Sequence, residues 1–282
     1  MAENTHCKIH AIGVCMNNQN MKLLFFDIDG TLITDDSDKY YPESTKEAVI
    51  KARENGHKCF INTGRVYATV DDYIRQPGFD GYVCGCGTNI YADGKELLYV
   101  PYSKEKSLGI AELCRKYGYK GIFEHKNHVA FDGTISGGEH RKILDYFISM
   151  GVKVIDDIYS EEFVFDKLAV WHGVDSPDLN NFKEAVSKDF QCIIRSDSFV
   201  ELVPHGYSKA TGIKFLMDYY HVPIENVFVF GDSNNDLEML KYVPNSIAMG
   251  VCSDEVAKVA AYMTDTVEND GIYKAMKHFG VI

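Results

Sequence analysis

The sequence predicts an α/β protein: an open parallel sheet interrupted by an inserted domain of different texture. Three observations predict it. Strand-like and helix-like segments alternate at α/β spacing over residues 22–86 and again over 208–265. Between those stretches, hairpin and paired-strand patterns replace the alternation. The first strong apolar run, "LLFFDIDGTLI" at 23–33, passes straight into two acids, Asp27 and Asp29. A buried strand does not tolerate an unpaired carboxylate, so these acids must mark its exit and must have a partner there.

The elements follow in order. Residues 22–28 read as a buried parallel strand, being continuously apolar up to the first acid. "PESTKEAVIKARENGH" (42–57) reads as a helix, "HKCFINTGR" (57–65) as a second strand, "VYATVDDYIRQ" (66–76) as a helix and "GYVCGC" (81–86) as a third strand. The middle begins with a helix at 104–118, a hairpin of "YKGIFEH" and "HVAFDG" turning at Lys126–Asn127, and a second helix at 139–151. Strand, helix and two further strands follow, at 167–173, 179–190, 191–197 and 198–204. The α/β rhythm then returns with a helix at 208–221, the strand "NVFVFGD" (226–232), a helix at 234–243, and three shorter pieces, "SIAMG", "SDEVAKVA" and "AYMTD", reaching residue 265.

The expected organisation is a core of residues 21–100 and 204–282 with an insert over 101–203; Pro101 and Pro204 stand near the two crossings. Residues 1–20 are polar and weakly patterned, and read as a poorly ordered extension or as an upstream start ahead of Met21.

Composition narrows the function. A net charge of −12 repels nucleic acid and anionic membranes, so neither is an expected partner. An anionic substrate would need a local cation. There is no apolar stretch of 18 residues and no CxxC pair among the eight cysteines, which points to a cytoplasmic, reducing setting. Cys84 and Cys86 read as buried thiols, because no further ligand stands at metal-site spacing.

Ligands of open parallel sheets bind beyond the carboxyl ends of the strands. Asp27 and Asp29 follow the first strand; Thr63, Gly64 and Arg65 follow the second; Asp232, Asn235 and Asp236 follow "NVFVF"; Lys209 opens the helix before it. Carboxylates gathered at one point repel unless a hard cation sits among them, and an all-oxygen set with room for water suits Mg²⁺. Phosphate would complete the charge balance. Arg65 reads either as part of this set or as a salt-bridged helix residue. His125 and His128 flank the turn in "EHKNH" and read either as turn residues or as a substrate-facing edge of the insert. "DDSDK" (35–39) reads as a solvated loop.

"DIDGT", "NTGR", the "SK" before a helix and "GDSNND" together resemble, in order and spacing, the four motifs of the haloacid dehalogenase-like superfamily of phosphatases. The long insert between the Thr and Lys motifs, and the closing "ENDGIYKAM", are similar to its Cof-like subfamily, subfamily IIB. The resemblance implies a Rossmann-like, doubly wound core with an inserted α/β cap. It implies Asp27 as nucleophile, forming an aspartyl-phosphate, and Asp29 as the acid and base. Mg²⁺ would be held by the Asp27 side chain, the Asp29 backbone carbonyl and Asp232, with Asp236 in support, while Thr63, Lys209 and Asn235 bind the phosphoryl oxygens. The implied activity is hydrolysis of a small phosphorylated metabolite, with a sugar phosphate as the first expectation. A phosphomutase of the same superfamily is the nearest alternative, and a non-catalytic metabolite-binding protein a further one. The sequence departs from the family pattern at Ser233, where Gly is frequent, at Cys86, where many relatives have Asn, and at Tyr207, where Val is common.

Overall fold

The structure, a computed structural model, describes residues 20–133, 139–171, 179–196 and 199–282. The expectation for the first 20 residues therefore lies outside the described residues, Asn20 apart.

β1 (Leu23–Phe26) is completely buried, as an unbroken apolar run requires. It pairs in parallel with β2 (Lys58–Asn62) on one side and β12 (Val227–Gly231) on the other. The side chains alternate between two layers. Leu24 and Phe26 pack toward α1 (Glu43–Glu54) and α9 (Gly271–His278), whereas Leu23 and Phe25 pack toward α6 (Lys209–Tyr220) and α7 (Leu237–Tyr242). Stacked rings tie the strands together: Phe25 on Phe60 at 5.0 Å and Phe26 on Phe230 at 4.8 Å between centroids. Burying a phenylalanine side chain stabilises by about 1.5–3 kcal/mol, so these four rings anchor the sheet centre.

The full sheet runs β14-β13-β12-β1-β2-β3-β4-β5. Its members not yet placed are β3 (Gly81–Cys84), β4 (Asn89–Ala92), β5 (Lys95–Tyr99), β13 (Asn245–Ala248) and β14 (Tyr262–Met263). Patterning assigns no element to 89–99, yet two antiparallel strands there extend the sheet past β3. The expected helix at 66–76 is broken. A 3₁₀ turn at Tyr67–Thr69 and a short α2 (Asp72–Arg75) are separated by extended Val70. The Arg65 guanidinium draws the Thr69 carbonyl (3.2 Å) and the Asp71 carboxylate (2.9 Å) onto itself, which takes both out of a continuous helix.

The second sheet runs β10-β11-β9-β6-β7-β8 and forms the inserted cap. Its strands are β6 (Lys120–His125), β7 (His128–Phe131), β8 (Val154–Ile155), β9 (Lys167–Trp171), β10 (Phe190–Ser196) and β11 (Phe199–Pro204). α3 (Lys104–Tyr117) and α5 (Leu179–Val186) cover one face through Phe123, Leu168, Val170 and Leu202. α4 (Glu139–Ser149) packs at the edge of the opposite face. That opposite face looks onto the core and carries Ile122, Glu124, Lys167, Trp171, Phe199 and Glu201. Among the described residues, no helix is long and apolar enough to cross a membrane.

A buried hydrogen bond is among the contacts that join the two bodies. The Thr88 hydroxyl, in the core, donates to the carboxylate of Asp166, which directly precedes β9 of the cap. Burial raises the Asp166 carboxyl to about 7, even though the Thr88 bond acts in the opposite direction. An unfolded aspartate titrates near 3.8, so the folded state binds the extra proton between about pH 4 and about pH 7. The contribution of this group to stability is therefore greatest in acid and is lost as pH rises through that window. Asp166→Asn, which cannot ionise, should flatten this part of the profile, as read from the difference between wild-type and variant denaturant midpoints at pH 5 and pH 8.

Candidate active site

Strand order reverses at β1, and three strand ends meet there because β1, β2 and β12 lie in near-level register. Asp27 continues the ladder by donating its N–H to Phe230 (3.1 Å) and then turns its carboxylate into the crevice. Thr63 leaves β2 beside it, and Asp232 leaves β12.

Asp27, Asp232 and Asp236 bring carboxylate oxygens within 4.8 Å of one another. Lys209 reaches the group from the first position of α6, where Ser208 caps the helix in a reciprocal capping box with Thr211. Its Nζ, on a fully buried side chain, lies 2.8 Å from Asp27 Oδ1 and donates to Asp236 Oδ1 (2.6 Å) and Asn235 Oδ1 (3.3 Å). Asp236 Oδ2 accepts the backbone N–H groups of Asp232 (3.0 Å) and Ser233 (3.1 Å). Asp236 thus shapes the loop and orients Lys209, while Thr31 donates to Asp232 Oδ1 at 2.8 Å.

Burial raises Asp27 to about 7, with the Lys209 charge opposing and Asp236 adding to the shift. Burial raises Asp232 to about 8, reinforced by Asp236 and Asp27. One ammonium does not neutralise three crowded acids. An oxygen donor set this short of positive charge fits a hard divalent cation, held by Asp27 and Asp232 with Asp236 behind them.

Asp29 is handled differently. Its carboxylate takes a two-point contact from Arg65 (Nε 2.8 Å, Nη2 2.7 Å) and a third contact from Lys39 Nζ (3.1 Å). Burial disfavours its charge, but the two cations outweigh that and hold it down to about 2. Its side chain lies outside the three-acid group. Arg65 both lines the cavity and is salt-bridged, to Asp29 and Asp71. Lys39 corrects the reading of 35–39 as wholly solvated: Asp35 to Asp38 are exposed, but Lys39 lines the cavity.

Two glycines border the site, and close approach requires the first of them. Gly30 sits at φ +78°, and a Cβ there would lie 2.4 Å from Asp232 Oδ2. Gly64 leaves its backbone open to the crevice, with Glu201 Oε1 only 3.2 Å from where a Cβ would stand. Gly30→Ala should push Asp232 aside and weaken metal activation by about tenfold or more, a scale set by outer-shell changes at metal sites. A metal-activation curve that superimposes on wild type would contradict that reading of Gly30.

Asp27, Asp29, Thr63, Gly64, Arg65 and Asn235 open together into one cavity of about 340 Å³, closed from above by the cap. The structure does not bring His125 and His128 into it. Glu124 faces the cavity, so its neighbour His125 points to the other face of β6, and His128, paired with His125 across the hairpin, shares that face. The two imidazoles stack on each other at 4.1 Å, and His125 meets Tyr99 edge-on. Of the cap residues that do face the site, Glu124 belongs to the "EHKNH" hairpin already read as a possible substrate-facing edge, whereas Lys167 and Glu201 were not singled out. Strand alternation places Lys167, Ala169 and Trp171 of "KLAVW" on one face, which is the signal that finds them.

A crevice at the strand switch point, floored by acids and roofed by an inserted sheet, is the architecture of a phosphoryl-transfer hydrolase. Residues 24–276 match the family model described as haloacid dehalogenase-like hydrolase, and the chain belongs to that family, as a phosphatase of its Cof-like subfamily IIB. It is 27% identical over 263 residues to YkrA of Bacillus subtilis, covering 93% of this chain and 98% of that one. It is 24% identical over 267 residues to the 5-amino-6-(5-phospho-D-ribitylamino)uracil phosphatase YitU of the same organism, covering 91% and 97%. Among solved structures, the subclass IIB sugar phosphatase BT4131 superposes with a TM-score of 0.76 at 28% identity, over 93% of this chain and 100% of that one.

Proposed function

We propose that this chain is a Mg²⁺-dependent phosphatase that hydrolyses a sugar phosphate through an aspartyl-phosphate on Asp27. The single observation that carries the proposal is Asp27 itself: a carboxylate at the sheet switch point, with one oxygen held by Lys209 at 2.8 Å and the other side of the group opening to the cavity.

The Asp27 carboxylate attacks phosphorus, and the leaving alcohol oxygen takes a proton from Asp29. Asp29 then accepts a proton from the water that attacks the phosphoryl group, which frees Asp27 and releases phosphate. Lys209 and Thr63 steady the phosphoryl oxygens, supported by Asn235 and the open backbone at Gly64. Mg²⁺, held by Asp27, Asp232 and the Asp29 carbonyl, would neutralise charge on the transferring group. In the arrangement described, Arg65 and Lys39 keep Asp29 ionised, ready for its role as base. An arriving phosphate dianion competes for those two cations and so raises the proton affinity of Asp29, which suits its role as acid.

Residues 101–203 serve as the cap over a core of 21–100 and 204–282. A polyhydroxylated leaving group fits the charged row Glu124–Lys167–Glu201, in which Lys167 Nζ lies 2.7 Å from Glu124 and 3.2 Å from Glu201. Two of the named relatives point the same way: one is a sugar phosphatase, and the other is a 5-amino-6-(5-phospho-D-ribitylamino)uracil phosphatase. A panel of phosphorylated metabolites with Mg²⁺, read as released phosphate, tests the proposal. Release from sugar phosphates is expected; isomerised product without release would instead indicate a mutase.

A further inference from the structure

The charged row does not account for the whole roof of the cavity. On β9 the cavity-facing residues are Lys167, Ala169 and Trp171, and on β11 they are Glu201 and Phe199. Trp171 and Phe199 are direct cross-strand partners, and their rings stack at 4.3 Å with a 32° tilt. Ile143 and Phe147 of α4 and Ile122 of β6 complete an apolar wall around them. The cavity therefore has two chemically distinct parts. Glu201, beside Gly64, marks the end next to the phosphoryl site. From Glu201 to Phe199 is two strand residues, roughly 7 Å, and from Lys167 to Trp171 is four, roughly 13 Å.

Resting on the phosphatase reading above, we propose that the aromatic pair is a specificity site for a planar ring at the end of the leaving group away from phosphate. The substrate class is then a phosphomonoester whose polyhydroxylated leaving group ends in an uncharged heterocycle. Its hydroxyl groups meet Glu124, Lys167 and Glu201, and its ring covers Trp171 and Phe199. A bare pentose or hexose phosphate satisfies the charged row and leaves the aromatic wall in contact with water, so part of the available apolar burial goes unused. The charge of the row also selects. Two carboxylates flank one ammonium, so a second phosphate or a carboxylate at this position meets net negative charge.

Trp171 is the only tryptophan in the chain, so its fluorescence reports on this wall alone. In the Asp27→Asn protein, which holds substrate without turnover, uridine 5′-monophosphate should quench Trp171, whereas ribose 5-phosphate should leave it unchanged. In the wild type with Mg²⁺, kcat/KM should be about tenfold or more higher for uridine 5′-monophosphate than for ribose 5-phosphate, and for flavin mononucleotide than for ribitol 5-phosphate. Trp171→Ala should bring the kcat/KM ratio of each ring-bearing ester to its ringless counterpart down to about one, and Trp171→Phe should restore most of the advantage. If neither ring-bearing ester outperforms its ringless counterpart and Trp171 is not quenched, the ring site is wrong, although phosphate release still upholds the phosphatase. If no ester at all releases phosphate, the phosphatase reading fails, and the quenching experiment still decides the ring site.

Discussion

Asp27→Asn is expected to lower kcat by at least about four orders of magnitude, equivalent to roughly 5.4 kcal/mol or more of barrier, because it removes the nucleophile and leaves only binding and electrostatic assistance. The fold should survive. The amide is nearly isosteric, its oxygen still accepts from Lys209, and the change takes one negative charge away from a buried group that has too many. The variant's melting temperature in metal-free buffer should therefore be no lower than that of wild type. Retention of more than about a tenth of wild-type activity would show that another group attacks phosphorus.

Metal removal should be comparably severe. Without a divalent cation, Asp27 titrates near 7 and Asp232 near 8, so at neutral pH Asp27 is about half protonated and Asp232 mostly so, which weakens Asp27 as a nucleophile. Chelation is expected to abolish turnover and Mg²⁺ to restore it, whereas Ca²⁺, with its larger and looser coordination shell, should bind and support little activity. Binding must displace protons from these acids, so Mg²⁺ affinity should rise between pH 6 and pH 8 and proton release should be detectable by calorimetry in buffers of different ionisation heat. A concentration of one hundred times Kd would stabilise the folded protein by about 2.7 kcal/mol. Full activity in metal-free buffer, or an affinity independent of pH, would contradict this description of the acid group.

The core site was legible because its chemistry is local to strand exits. "LLFFDID" couples a buried strand to its acids within seven residues, and "NTGR" and "GDSNND" do the same at the neighbouring strands. Parallel register then brings the three exits together with no further information needed. The cap was less legible. Its contribution comes from single residues on alternating positions of three separate strands, Glu124, Lys167 and Glu201, which become neighbours only through antiparallel pairing. His125 and His128 drew attention as polar residues at a turn, but the two-residue period of β6 sends them to the far face. Lys39 was missed for a different reason. It ends a run of four exposed residues, and only the fold of that loop, with Lys39 at φ 47°, returns its ammonium to Asp29. The helix break at Val70 likewise depends on Arg65 reaching forward to Thr69 and Asp71, a contact that no local propensity encodes.

The most direct test of the central claim is to look for the covalent intermediate. The Asp29→Asn variant, in which the water that resolves the intermediate lacks its base, should accumulate it when mixed with an excess of acetyl phosphate and Mg²⁺ and quenched in acid. Mass analysis of the peptide carrying residues 23–31 is expected to show one added phosphoryl group, located on Asp27 and absent from the Asp27→Asn protein. Steady phosphate release in wild type with no phosphoryl group on Asp27 at any time, or a group found on a different residue, would contradict the assignment of Asp27 as nucleophile.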